Sequence, residues 1–102
     1  NARVITLSSW MGSLSHAKED RLAYRASKAA ANRIVRGMAT ELRPRGITVT
    51  SMHPGWVRTD MGGSGADISP AESAAGILAI ADRLTLADTD RFMDWQGQAL
   101  AW

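Results

Sequence analysis

Tyr24 and Lys28 stand four apart in the stretch Tyr24-Arg25-Ala26-Ser27-Lys28. On a helix, residues at that spacing are surface neighbours with Cβ atoms roughly 5–6 Å apart. At about 6 Å and an effective dielectric of about 20, opposite unit charges attract by about 3 kcal/mol. An ammonium so placed favours the ionised form of a phenol beside it. That is the chemistry of a general acid or base working near neutral pH. Such pairs also recur by chance on solvated helix faces, so the spacing acquires meaning only from what surrounds it.

Two further groups supply that surrounding. Ser8-Ser9 directly follows the apolar run Val4–Leu7, and in open α/β sheets catalytic groups sit just beyond the carboxyl ends of strands. One of two adjacent serines is expected merely to satisfy loop backbone groups. Pro54-Gly55 follows a second run, Ile47–Met52. The proline fixes a turn, and Gly55 has no side chain, so a flat ring could lie against the backbone there. Beyond it, Met61-Gly62-Gly63-Ser64-Gly65 suits a lid or a plain linker equally. A Ser-x-x-Lys match at Ser15 to Lys18 is reminiscent of penicillin-binding acyl transferases, but no Lys-Thr-Gly or Ser-Asp-Asn follows.

The elements that must position these groups read as strand, helix, strand, helix, strand. Val4–Leu7 is apolar or β-branched at every position, the pattern of a strand buried on both sides of a parallel sheet. From Leu22 to Leu42 apolar and small residues recur at helical spacing, and Pro44 and Gly46 close the helix. Ala29-Ala30-Ala31 and Gly37 keep one face of it small. Ile47–Met52 is the second strand. A βαβ unit brings Ser8-Ser9, the Tyr24–Lys28 turn and Pro54-Gly55 to one edge of the sheet. Ser69-Pro70-Ala71-Glu72 combines an N-cap, a first-turn proline and a capping box. It opens a second helix running through Ala74 to Leu84, and Arg91–Trp95 is the third strand, ended by a Gln96-Gly97 turn. Trp95 and Trp102 read as packing aromatics. The fold class is therefore α/β, a parallel sheet with three strands and two main helices.

Composition narrows the remaining classes. With 102 residues and 45% hydrophobic content, the chain is one small domain, neither disordered nor transmembrane. It has no cysteine, and His16 and His53 lie far apart, so neither disulfides nor a metal site is expected. A reducing, cytoplasmic setting fits. Twelve Lys and Arg are spread among ten acids. Arg21, Arg25, Lys28, Arg33 and Arg36 read as the solvated rim of an amphipathic helix rather than as a nucleic-acid surface. No membrane partner is expected.

Three pieces in this order, Val4-Ile5-Thr6-Leu7-Ser8-Ser9-x-x-Gly12, Tyr24-x-x-x-Lys28 and Pro54-Gly55-x-Val57-x-Thr59, resemble the carboxyl-terminal half of a short-chain dehydrogenase/reductase. The ending, from Ser69-Pro70-Ala71-Glu72-Ser73 through Arg91-Phe92-Met93-Asp94-Trp95-x-Gly97 to Trp102, is similar to the C-factor/sniffer-type carbonyl reductase branch. The resemblance implies a doubly wound parallel sheet. Residues 1–102 would be the carboxyl-terminal catalytic half of a single NAD(P)-binding Rossmann domain, with the amino-terminal cofactor-binding half absent. It implies hydride transfer between NADPH or NADH, the former favoured, and a small carbonyl or alcohol substrate, in a homo-oligomer. By residue, Tyr24 matches the family's general acid, and Lys28 the residue that lowers the tyrosine pKa and holds the nicotinamide ribose. Ser9 matches the hydroxyl that polarises the carbonyl, although the loop from Ser9 to Tyr24 is slightly longer than the commonest family spacing, which leaves Ser8 as the alternative. Pro54, Gly55, Val57 and Thr59 match positions lining the nicotinamide. The fragment alone is not expected to catalyse. The competing reading is a non-catalytic interaction or dimerisation module built on the long helix.

Overall fold

The computed structural model describes residues 2–102. Three parallel strands, β1 (Arg3–Leu7), β2 (Thr48–His53) and β3 (Arg91–Asp94), lie in the order β1-β2-β3. Ile5 pairs with Thr50, and Ser51 with Phe92. Two helices, α1 (Leu22–Leu42) and α2 (Pro70–Arg83), connect them. Successive side chains on a strand point to opposite faces, and β2 uses both. Val49 packs with Val35 and Ala39 of α1, while Met52 packs with Ile80 of α2 and Leu84 just after it. The sheet is thus covered by one helix on each side, which makes it an open, doubly wound α/β sheet. Burying a Val, Met or Ile of this kind contributes about 1.5–3 kcal/mol.

β2 is buried from Thr48 to Met52. β1 is not: Arg3 and Leu7 are exposed, and Val4, Ile5 and Thr6 only half-buried. Its apolar sequence predicts cover on both faces, but among the described residues β1 pairs on one side only, with β2.

The helix ends follow different physics. Ser69 accepts the Glu72 N–H while the Glu72 carboxylate accepts the Ser69 N–H, a complete capping box for α2. At the start of α1 no side chain caps the helix, and Arg21 takes a left-handed φ of 51°. The other end of α1 passes into a 3₁₀ turn, Arg43–Arg45, and Gly46 at φ 71° turns the chain into β2. After β3, Gly97 reverses the chain, and Leu100 donates its N–H to the Phe92 carbonyl at 2.8 Å. This carries Trp102 onto Phe92, ring centroids 5.4 Å apart, with the Arg36 guanidinium 5.1 Å from its ring. Trp102 packs as its sequence predicts.

Candidate active site

The carboxyl ends of β1 and β2 open into a cavity of about 1250 Å³. Ser8 continues the ladder there, its N–H bonded to the Met52 carbonyl at 2.7 Å. Its hydroxyl lies on the cavity wall and is buried with no hydrogen-bond partner. Ser9 is buried, and its Oγ accepts the Met11 N–H at 3.1 Å, capping the short turn Trp10–Gly12. That bond uses an oxygen lone pair and leaves the hydroxyl proton available to donate. The turn lies directly on α1. A Cβ on Gly12 would stand 2.8 Å from the Lys28 carbonyl carbon and 2.9 Å from its oxygen, so only glycine allows this approach.

Tyr24 sits in the first turn of α1 and lines the cavity. Lys28 is one turn further, its Nζ 5.6 Å from the Tyr24 ring centroid. The opposite wall is the Pro54–Thr59 segment. Ser73 of α2 donates to the Pro54 carbonyl at 2.6 Å. Gly55 has φ 89°, and a Cβ there would stand 2.7 Å from Ile68 Cδ1 and 2.9 Å from Trp95. The glycine is therefore required by backbone conformation and by the protein's own packing, since Ile68 and Trp95 fill the place a side chain would take. Val57 bridges to Ile68 through the Trp56 carbonyl and the Arg58 N–H, so its own N–H takes no part in that bridge. Thr59 Oγ1 accepts the Gly62 N–H at 3.2 Å, and the Trp56 indole N–H donates to the Gly62 carbonyl at 2.9 Å. The Gly62–Gly65 stretch is thus partly tied down by the residues before it.

Of the residues singled out by sequence, Tyr24, Pro54, Gly55, Val57 and Thr59 share the cavity lining. Ser9 and Lys28 are not among the lining residues, whereas Ser8 is, with its Oγ buried. Sequence reasoning passed over His53. It ends β2 on the cavity wall, half-buried, with Nδ1 lacking a partner. Burial pushes its pKa below the usual 6.5, and the Asp94 carboxylate on the neighbouring strand acts in the other direction. Its place beyond the ladder's last buried residue, at the carboxyl end of a strand, is the signal that could have found it. Among the described residues no group of three or more His, Cys, Asp or Glu is placed to hold a metal ion, and no helix is long and apolar enough to cross a membrane.

A hydroxyl pair at one strand end, a tyrosine–lysine turn and a Pro-Gly wall around one cavity are matched by a family model. The short chain dehydrogenase model aligns with residues 1–67. The chain belongs to the short-chain dehydrogenase family. Among curated relatives, the C-signal protein of Myxococcus xanthus is 45% identical over 101 residues, covering 98% of this chain and 61% of that protein. Two solved carbonyl reductase structures share the architecture. The carbonyl reductase Sniffer of D. melanogaster superposes with a TM-score of 0.94 at 36% identity, over 99% of this chain and 41% of that one. The NADPH-bound carbonyl reductase from chicken fatty liver gives 0.91 at 37% identity, over 100% and 43%. This short-chain dehydrogenase chain therefore spans less than two thirds of the length of each of these proteins.

Proposed function

We propose that this chain is the catalytic half of an NADP-dependent carbonyl reductase, the remaining part of the dinucleotide-binding domain lying outside residues 1–102. The observation that carries the reading is that Tyr24, with the Lys28 Nζ 5.6 Å from its ring centroid, shares one cavity lining with Pro54, Gly55, Val57 and Thr59. Family membership and the structural neighbours support it. The wall also fits a nicotinamide: Ser8 Oγ and His53 Nδ1 are buried polar atoms without partners there, and the Thr59 hydroxyl and Val57 N–H are donors suited to a carboxamide. Pro54, Gly55, Val57 and Thr59 would hold the ring, and Lys28 the ribose. NADP is favoured over NAD.

A reduced nicotinamide held by these residues would supply the hydride that the carbonyl carbon takes up. Tyr24 then gives its phenolic proton to the carbonyl oxygen, completing the alcohol, and Ser9 holds the same oxygen through its free hydroxyl proton. The Lys28 ammonium stabilises the phenolate left behind. The run backward is the same set of transfers, so an alcohol is the alternative substrate. We place this chemistry in a cytoplasmic, homo-oligomeric protein; the exposed Ala26, Ala30 and Ile34 of α1 offer the self-complementary face. The opposing reading, a non-catalytic interaction module, predicts the same helix face with no cofactor binding.

The deciding experiment uses the protein as its gene encodes it. Calorimetric NADPH binding together with NADPH-dependent reduction of an aromatic aldehyde supports the reductase reading, provided Tyr24→Phe still binds and fails to turn over. Comparing Ser9→Ala with Ser8→Ala assigns the hydroxyl: loss of turnover on Ser9→Ala alone is expected. Absence of nicotinamide binding by the intact protein would transfer the conclusion to the interaction module.

A further inference from the structure

The stretch between the serine turn and the tyrosine turn has no helix or strand of its own from 13 to 21, yet its path decides how far Ser9 stands from Tyr24. One side chain ties both of its ends. Arg25, the residue after Tyr24, is 11% exposed. Its Nε donates to the Asp20 carbonyl at 2.8 Å and its Nη2 to Asp20 Oδ1 at 2.9 Å. The guanidinium carbon lies 5.5 Å from the ring centroid of Trp10, the residue after Ser9. His16 meets the same indole edge-on, centroids 4.8 Å apart.

We propose that Arg25 is a positioning residue, clamping Trp10 and Asp20 so that the Ser9 hydroxyl and the Tyr24 phenol are held in one geometry. The inference rests on the reductase reading for its catalytic consequence and on the contacts alone for its structural one. Two observations favour a clamp over an incidental surface pair. Arg21, at φ 51°, is a non-glycine residue in the left-handed region, a conformation that persists only where its surroundings hold it. Arg25 holds the carbonyl immediately before it through Nε, and its backbone N–H donates to the Arg21 carbonyl at 2.9 Å. In addition, Arg25 Nη1 is buried with no partner, which is unfavourable for a charged donor. The guanidinium is therefore placed by the stack on Trp10 and the fork on Asp20, not by complete hydrogen bonding. A planar fork that also stacks is what distinguishes arginine from lysine here.

The test compares Arg25→Met, Arg25→Lys and the exposed control Arg33→Met in the full protein. Amide hydrogen exchange and aldehyde-reduction kinetics are measured on each. Arg25→Met is expected to speed exchange at Gly12 and Ser13, whose N–H groups bond to the Ser9 and Trp10 carbonyls, by about tenfold, while β2 is unmoved. Its kcat is expected to fall about 10- to 100-fold with KM and NADPH affinity within about twofold, as misplacement rather than lost binding demands. Arg25→Lys should recover only part of kcat, and Arg33→Met should match the parent protein. Unchanged exchange at Gly12 and Ser13 in Arg25→Met overturns the clamp, as does full rescue by lysine. If β2 exchange rises equally, Arg25 is a general stabiliser and the proposal fails. If the parent protein neither binds NADPH nor reduces the aldehyde while exchange rises locally, the clamp stands and the reductase reading falls.

Discussion

Tyr24 shares a helix turn with a cation whose Nζ lies 5.6 Å from its ring centroid. Removing the phenolic oxygen should therefore remove the proton and little else. Tyr24→Phe is expected to lower kcat for carbonyl reduction by about 10²- to 10⁴-fold with NADPH binding retained, as steady-state kinetics and calorimetry would show. His53 makes a different prediction. Its folded pKa lies below 6.5 because burial disfavours the imidazolium. Above about pH 6.5 both folded and unfolded chains carry neutral imidazole; below it the unfolded chain takes up the proton first, so stability falls as pH drops through the folded value. Urea unfolding between about pH 7.5 and about pH 5 should show that loss, and a smaller one in His53→Gln. The tyrosine–lysine pair was legible because it is local, four positions on one helix. His53 was not, because its half-burial and its neighbour Asp94 depend on a strand far along the chain.

Helix α1 and the serine turn meet without a side chain between them, and that contact is the element-scale feature most sensitive to a single methyl. Gly12→Ala would press a Cβ against the Lys28 backbone. A cost of about 1–3 kcal/mol is expected, read as a lower thermal midpoint, with turnover falling further because the atoms met belong to Lys28 and the turn that must give way is the one Ser9 caps. At α2, Ser69→Ala breaks the capping box and should cost about 1 kcal/mol without touching NADPH affinity; equal losses in both would detach the cap from its helix role. The extent of α1 and the cap of α2 were plain from periodicity, Pro44, Gly46 and Ser69-Pro70-Ala71-Glu72. The start of α1 was legible only as a periodicity: no capping residue announces it, because Arg21 and the Arg25–Asp20 bonds do that work through tertiary contact. The strand β1 was recognised as a strand, but Val, Ile and Leu record apolarity and say nothing of which neighbours arrive.

The molecule as a whole presents the sheet's outer strand with one pairing partner among its described residues, and Leu7 on it is 53% exposed. An open edge of parallel strand is a template for association. The isolated 102-residue chain is expected to self-associate and melt broadly, as sedimentation velocity and a thermal scan would report; a monodisperse, cooperatively melting monomer would count against this. The placement of its aromatic residues has a separate consequence. Of four tryptophans and one tyrosine, Trp10, Trp56, Trp95 and Tyr24 line the cavity, and Trp102 alone packs elsewhere, on Phe92. The near-ultraviolet spectrum of the 102-residue chain is thus largely the spectrum of its cavity wall. Within the 102-residue chain phenolate absorbance arises from Tyr24 alone, so in that chain the ionisation of the proposed acid can be watched without a label and compared directly with Lys28→Met.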